Sequence, residues 1–299
     1  MQPRRPLLTL SSLLLLGGAA PALGQEPSPG VRTDADPLRP ASDLAAAVEE
    51  LVTDRPDVTE SAATVGGGVI QVESGVSLER SDGTHVLSGP ATLVRVGVAS
   101  RIEGRLAWDG WVDGPDGSSG AGDGELGLKL ALLSGRARGP DLSLLAATSV
   151  PLGQDPISSG SVDPSFKAIA ALELRDGVSL GINAGIAWFD AEQFQVPIPQ
   201  NAAIGAGLPV TDPSVTVVRA TRLSWSASVG FDLGERTGAF VELFAEHPEY
   251  ESDVHALDAG ITFLLSPDLQ LDASAGTNLA SAGLEWFIGS GVSLRAGPW

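Results

Sequence analysis

A two-residue alternation of apolar and polar positions runs from about Val69 to the end of the chain. In the stretch ELGLKLAL (residues 125–132), for example, every second residue is leucine. Because successive side chains of a β-strand point to opposite faces, each such stretch has one apolar and one polar face. About twelve stretches of this kind in succession are typical of a transmembrane, antiparallel, up-and-down β-barrel, which is the all-β fold class that the pattern predicts.

The alternation predicts twelve strands, and an even number places both ends of the barrel sequence on one side of the membrane. The predicted strands are Val69–Glu79, Val86–Val98, Ile102–Trp111, Glu125–Leu133, Leu142–Val150, Phe166–Leu174, Val178–Trp188, Leu223–Leu233, Ala239–His247, His255–Leu265, Leu269–Gly276 and Leu284–Arg295. One set of connections is mostly tight, whereas the alternating set contains three long ones, at 113–124, 151–165 and 190–214. Short periplasmic turns and long extracellular loops are the usual arrangement in outer-membrane barrels.

The first part of the chain does not alternate. Arg4 and Arg5 precede an apolar run and a small-residue site, so residues 1–24 are predicted to be a signal peptide cleaved near Gly24. Residues 25–61, rich in Pro, Asp and Ala, are predicted to form a periplasmic N-terminal arm, for which folding into the barrel mouth is one option. Residues 62–299 are then the outer-membrane β-barrel, and the cell outer membrane is the predicted location.

The composition narrows the function classes. The formal net charge is -19, and the predicted signal peptide removes two Arg and no acid, so the chain is not expected to bind nucleic acid. There is no Cys, and therefore neither a disulfide nor a lipid anchor at the cleavage site. The expected partners are outer-membrane lipid, a small-molecule solute and, during insertion, the barrel-assembly machinery. No cofactor and no metal are expected.

Strand parity assigns side chains to the two faces of the barrel. The charged residues expected to line the lumen are Glu73, Arg95, Glu103, Arg105, Asp109, Lys129, Lys167, Glu173, Arg222, Glu242, Asp258, Asp272, Glu285 and Arg295. Acids and bases are mixed, which predicts cross-strand ion pairs that either fill the lumen or line a channel. The aromatic residues expected to form two girdles at the membrane interfaces are Trp108, Phe166, Trp188, Phe231, Phe263, Trp286 and Trp299.

Four stretches together resemble the MetA-pathway phenol-degradation family of outer-membrane transporters. They are TDRPDVTES (53–61), GDGELGLK (122–129), TSVPLG (148–153) and LDAGITFLLSPDLQLD (257–272), and the resemblance spans about 53–299. It implies a barrel in the outer membrane with a transport role and an undefined substrate. The chain departs from the family at its end, which reads AGPW and contains Pro298, a residue that cannot donate a ladder hydrogen bond.

Motifs that would carry catalysis are weak. GDGELG (122–127) fits a dinucleotide fingerprint in spacing, but an alternating strand follows where a helix is required. A hydrolase would need a nucleophile beside a base, and the three histidines are His85, His247 and His255, with no G-x-S-x-G elbow. His247 and His255 fall near the ends of neighbouring predicted strands. The chain is therefore not expected to be an enzyme.

The main hypothesis is a channel or transporter for passive passage of small molecules, with apolar or aromatic compounds among the candidates because of the family name alone. One alternative is a closed structural or adhesive barrel that acts through its extracellular loops. A less favoured alternative is an outer-membrane hydrolase. The connection 190–214 contains Pro197, Pro199 and Pro209, and it is either a mobile surface loop or a lid that folds into the pore.

Overall fold

A computed structural model describes residues 51–114, 117–134, 139–195, 214–280 and 283–297, with no side-chain detail for 192–195 and 214–215. These residues contain no α-helix, so none of them belongs to a helix that could cross a membrane. Their strands are β1 (Ile70–Ser81), β2 (Thr84–Ala99), β3 (Ile102–Trp108), β4 (Trp111–Asp113), β5 (Ser119–Ala121), β6 (Gly124–Leu133), β7 (Asp141–Val150), β8 (Pro164–Arg175), β9 (Val178–Gln195), β10 (Ser214–Gly234), β11 (Thr237–Pro248), β12 (Val254–Ser266), β13 (Leu269–Asn278) and β14 (Leu284–Ala296).

The sheet closes on itself into a barrel. Each long strand pairs antiparallel with the next, and β1 pairs with β14 from Ile70 opposite Ala296 to Ser81 opposite Leu284. β4 continues the line of β3 beside β2, and the short β4–β5 hairpin leads back into β6. Counting β3 with β4 and β5 with β6 as two interrupted strands gives twelve, which confirms the predicted barrel.

Burial follows the predicted parity. On β1, Gln71, Glu73, Ser77 and Glu79 are buried towards the lumen, whereas Ile70 and Val76 are exposed outside. Large apolar side chains exposed on the outer face occur on strands all around the barrel and include Leu106, Leu128, Leu144, Ile182, Leu223, Val241, Ile261, Ile288 and Leu294. A surface of this kind requires lipid, because a soluble protein rarely exposes so large an apolar area.

The two ends of the barrel differ in their connections. The end where β1 begins and β14 finishes has two-residue turns after β2, β8, β10 and β12 and is called the turn end. The opposite end, called the loop end, carries the long segments 109–123, 151–163 and 196–213. The predicted sorting of connections by length is thus present, apart from the longer link 134–140 between β6 and β7.

The β9–β10 hairpin is longer than the sequence predicts. The predicted strands end at Trp188 and begin at Leu223, but β9 continues to Gln195 and β10 begins at Ser214. Beyond the predicted ends, Arg219 forms ion pairs with Asp163 and Asp190, each at 2.9 Å. The loop predicted at 190–214 is therefore shorter, and its central residues 196–213 lie outside the described residues.

Residues 51–68, here called the lumen segment, lie inside the barrel. The segment enters at the turn end, where the Val52 carbonyl accepts hydrogen bonds from Gln71 and Arg95, and it returns there to begin β1. Residues 51–61 of the predicted arm thus contact the inner wall. The arm's other residues and the signal peptide lie outside the described residues, and the division of the chain at residues 24 and 61 stays a prediction.

Candidate functional site: the occupied lumen

One side of the inner wall is basic. Arg95, Arg105, Lys129 and Lys167, on β2, β3, β6 and β8, project inwards and are almost completely buried; they are called the basic wall. Glu103 lies among them and forms ion pairs with Arg95 at 3.0 Å and with Arg105 at 3.2 Å. Parity alone brings these side chains together, because all occupy inward positions of nearby strands.

The lumen segment supplies the acids that complete this network. Asp54 Oδ2 lies 2.5 Å from Arg105 Nη1, 3.2 Å from Lys129 Nζ and 3.5 Å from Arg95 Nη1. Glu60 Oε1 lies 2.9 Å from Lys167 Nζ. Burial alone would raise the pKa of Asp54, but the positive charges of Arg95, Lys129 and Arg105 overcome it and hold the pKa well below its usual range. Asp54 is therefore a buried carboxylate shared by three bases.

The opposite side of the inner wall is acidic. Glu242, Asp258 and Asp272, on β11, β12 and β13, are buried and are called the acidic wall. Glu242 accepts hydrogen bonds from the Val58 amide and the Thr59 hydroxyl of the lumen segment. Asp57 of the same segment is also buried, close to Glu242 and Asp258. Acids from the wall and from the segment thus share this region.

Arg55 is the base that the lumen segment offers to the acidic wall. Its Nη2 atom lies 3.2 Å from Asp272 Oδ1. The guanidinium group occupies a slot between Gly75 of β1 and Gly291 of β14, which are directly paired across the two strands. A Cβ atom at either glycine would overlap Arg55, so these two residues must be small for the arginine to reach Asp272.

Apolar and polar groups share the part of the lumen nearer the loop end. Phe244, Ala256, Leu284 and Phe287 form a buried cluster against which Val58 of the lumen segment packs. On the other side, a small cavity is lined by charged, polar and apolar side chains, among them Glu125, Leu145, Lys167, Arg222 and Ser224. This cavity is called the vestibule, and Lys167 at its edge pairs with Glu60 below it.

Of the charged residues predicted to line the lumen, nine are buried inside it: Glu73, Arg95, Glu103, Arg105, Lys129, Lys167, Glu242, Asp258 and Asp272. Arg222 lies at the mouth near the loop end, where it pairs with Glu246 and Glu251 and its guanidinium carbon stands 4.7 Å from the centroid of the Phe189 ring. Arg295 points inwards at the turn end and pairs with Asp268 at 2.8 Å.

Three predicted lumen residues lie elsewhere. Glu285 is exposed at the loop end and pairs with Arg80 at 2.9 Å, because a shift of register near the end of β1 displaces the strand pairing there. Glu173 is exposed at the turn end, next to the β8–β9 turn. Asp109 lies in the bend between β3 and β4, where its carboxylate accepts a hydrogen bond from the Asp123 amide.

Those predicted girdle residues that the structure describes lie on the outer face. Trp108 and Phe166 are exposed near the loop end, and Phe166 contacts Trp188 edge-to-face with ring centroids 6.1 Å apart. Trp286 is also near this end, 5.7 Å from the His85 ring. Phe231 and Phe263 are exposed near the turn end. Trp299 lies outside the described residues, and the role of this set at the membrane interfaces stays a prediction.

Sequence reasoning missed Asp54, Arg55, Asp57 and Glu60 as members of the site. They occupy the stretch TDRPDVTES, which was singled out as a family signature and not as a partner of the wall. The sequence did contain a signal for these partners. The inward positions of β2, β3, β6 and β8 carry four bases, and buried bases require acidic partners. The stretch 53–61, outside the strands, carries the three acids Asp54, Asp57 and Glu60.

The fold and the lumen define a class of protein, the transmembrane β-barrels of the outer-membrane type. A family model described as "Putative MetA-pathway of phenol degradation" matches residues 53–296. The chain belongs to this family, which confirms the resemblance drawn from its sequence.

Solved barrels are similar in fold. An outer membrane channel from Pseudomonas putida F1 is 14% identical, with 78% of this chain and 97% of that chain covered and a TM-score of 0.52. The NanC porin is 11% identical over 75% of this chain and 98% of that chain, with a TM-score of 0.49. The Pseudomonas putida toluene transporter TodX is 8% identical over 77% and 89%, with a TM-score of 0.38. No curated protein matches the chain. At 14% identity, the similarity to the Pseudomonas putida F1 channel shows the fold alone.

Proposed function

We propose that this chain is a passive outer-membrane channel for small molecules and that its lumen segment is the gate. The observation that carries the proposal is that residues 51–68 fill a barrel whose wall is sealed by strand pairing, yet are held largely by side-chain ion pairs and hydrogen bonds. The strands of a closed barrel cannot separate without losing many backbone hydrogen bonds. The charged groups of an ion pair, in contrast, can exchange each other for water. The segment is the part of the lumen that can move.

Small aromatic or apolar compounds are the proposed solutes. Phenol degradation in the family's description supports this class, and so does the mouth near the loop end, where the Phe189 ring and the Arg222 guanidinium stack. Ser224, which has a small side chain, lines the vestibule together with Arg222. We place the channel in the outer membrane, with insertion by the barrel-assembly machinery, and we propose no catalytic role.

A disulfide that locks the segment tests the gate, since the chain has no Cys of its own. Thr59 Oγ1 lies 2.8 Å from Ser226 Oγ, so Thr59→Cys with Ser226→Cys would join the segment to the wall. Ser77 Oγ lies 2.7 Å from Ser88 Oγ, and cysteines there would join two wall strands as a matched control. Single-channel conductance of the refolded protein is measured before and after reduction.

The expected result is that wild-type protein shows conductance steps, the oxidised 59–226 variant loses them and reduction restores them, while the 77–88 variant behaves like wild type. Conductance steps that persist in the oxidised 59–226 variant would refute the role of the lumen segment as a gate. Phenol at increasing concentration should shorten or block the steps if it shares the path.

A closed structural barrel is the second candidate. The buried network around Asp54 favours it, because such a network also suits a permanently filled lumen. Silence of wild-type protein and of the reduced 59–226 variant, with heat-modifiable mobility that reports a folded barrel, would select this alternative. Deleting residues 196–213 in the same assay tests whether that loop, and not the lumen segment, blocks the path.

A further inference from the structure

The connection between β11 and β12 brings two histidines and an aspartate together at the loop end. His247 lies near the end of β11, Asp253 lies in the connection, and His255 is the second residue of β12. Ala245 pairs with His255 and Glu246 with Val254, so His247 falls beside Asp253 on the outward face of the hairpin. These three residues are called the rim cluster.

The rim cluster is compact and open to solvent. His247 Nδ1 lies 3.2 Å from Asp253 Oδ2, and His255 Nε2 lies 3.9 Å from the same oxygen. The two rings meet edge-to-face with centroids 5.0 Å apart. One ligand atom from each residue lies within 4.8 Å of the other two. The side chains are between 37% and 53% exposed, so an ion and a water molecule can both reach them.

We propose that the rim cluster binds a divalent transition-metal ion of the Zn²⁺ type. Two imidazole nitrogens and one carboxylate oxygen are ligands that such ions prefer, whereas Ca²⁺ and Mg²⁺ favour sites made of oxygen alone. Ligands about 2.0–2.2 Å from zinc in a tetrahedral site stand about 3.3 Å apart. The three ligand atoms lie within 4.8 Å of one another, so the side chains would draw together by up to about 1.5 Å on binding the ion, and water fills the fourth position.

A bound ion would fix a connection that also reaches the lumen mouth. Glu251, in the same connection, pairs with Arg222 at 3.7 Å, and Glu249 exchanges hydrogen bonds with the backbone of Thr221. The ion would therefore hold β11 and β12 together at the point from which Glu251 extends to Arg222. Metal binding at the rim cluster does not depend on the proposed channel function.

Cobalt titration tests the site directly. Co²⁺ in a tetrahedral nitrogen and oxygen environment gives visible absorption bands, and Zn²⁺ should displace it. The titration uses the refolded barrel in detergent with millimolar Ca²⁺ present, because a chain of net charge -19 has many carboxylates that bind cations weakly. His247→Gln, His255→Gln and Asp253→Asn are compared with His85→Gln, which removes the remaining histidine beside Trp286 on the same outer face.

The expected result is one equivalent of Co²⁺ per wild-type chain, displaced by Zn²⁺, with affinity lowered at least about tenfold by each of the three rim substitutions. His85→Gln should bind like wild type, and heat-modifiable mobility should show that every variant is folded. Absence of tetrahedral bands in wild-type protein would overturn the proposal, as would an equal loss in His85→Gln or displacement of Co²⁺ by Ca²⁺. Normal Co²⁺ binding by Glu249→Gln would show that this neighbouring acid is not a ligand of the ion.

Discussion

The two sides of the lumen hold the same segment by opposite charge arrangements. The basic wall presents four bases, which pair with Asp54 and Glu60 of the segment and with Glu73 and Glu103 of the wall itself. The acidic wall presents Glu242, Asp258 and Asp272, to which the segment brings the base Arg55 but also the acid Asp57. Positive and negative charges are therefore balanced at the basic wall, whereas negative charge is in excess at the acidic wall.

This difference shows how a barrel can be filled without being permanently sealed. Buried ion pairs are costly to break when only one partner is removed, so the basic wall is the firm attachment. Carboxylates grouped without matching bases repel one another unless they take up protons, so the acidic wall is the weak attachment. A segment attached firmly on one side and weakly on the other is able to swing instead of leaving the barrel.

Removing the firm attachment should have the largest effect. Asp54→Ala leaves Arg95, Arg105 and Lys129 buried without their shared carboxylate, at a cost of about 3–5 kcal/mol for a buried pair that loses one partner. We expect the lumen segment to be released. A glutamate-specific protease should then cleave after Glu60, which is 1% exposed in the docked segment, and mass spectrometry identifies the cut.

The matched control for this change is Asp268→Ala. Asp268 also pairs with an arginine, Arg295, but it stands at the turn end with 54% of its side chain exposed. An exposed pair contributes about 0–1 kcal/mol, so Glu60 should stay protected. If cleavage after Glu60 is equally slow in Asp54→Ala and Asp268→Ala, the basic wall is not the firm attachment. The comparison between the two sides of the lumen then fails.

An intermediate effect is expected where the acidic wall receives Arg55. Gly75→Ala places a Cβ atom on the guanidinium group, which must swing away and leave Asp272 without its base. Overpacking of this kind costs about 1–3 kcal/mol. Cleavage after Glu60 should accelerate, but less than in Asp54→Ala.

Gly289→Ala is the control, since this glycine also faces the lumen and its added Cβ would stand 3.5 Å from Ser274 Oγ, an ordinary contact. Equal cleavage rates in Gly75→Ala and Gly289→Ala would mean that the slot around Arg55 does not help to hold the segment.

The fold could be predicted because period-two alternation specifies both the strand and the face of each residue. That is why parity predicts inward positions for Arg95, Lys129 and Glu242, all three of which are buried in the structure. Strand ends are less determined, since β9 continues beyond Trp188 with FDAEQFQ, a sequence in which the regular alternation of apolar and polar residues is lost. Glu285 was misplaced for a related reason, since parity is broken at a shift of register.

Only the part of the site that lies on the barrel wall could be predicted from the sequence. Alternation identifies the charges on the wall, but the partners Asp54 and Glu60 belong to a stretch with no periodicity, so the sequence does not show which of its side chains reach the wall. The rim cluster shows the same limit, because the contact between His247 and His255 depends on the exact register of β11 and β12. Long-range pairing is specified by the assembled barrel and not by any one segment.

The smallest effect is expected from relieving the repulsion on the acidic side. Burial, with the charges of Glu242 and Asp258, raises the pKa of Asp57 well above its ordinary value of 3.8. The docked segment therefore binds a proton that the released segment gives up, so docking weakens as pH rises from the ordinary value towards the raised one. Asp57→Asn cannot ionise and should hold the segment more tightly at neutral pH, by about 1 kcal/mol, similar to one hydrogen bond.

Single-channel recording between about pH 5 and pH 8 measures this difference as the fraction of time spent open. Wild-type openings should become more frequent as pH rises, and the increase should be smaller in Asp57→Asn, which has no carboxyl group to ionise at this position. Asp268→Asn, at the exposed pair with Arg295, should follow the wild-type curve. Parallel curves for wild type and Asp57→Asn would show that the acidic side does not oppose docking, and the two walls would then differ in charge but not in how strongly they hold the segment.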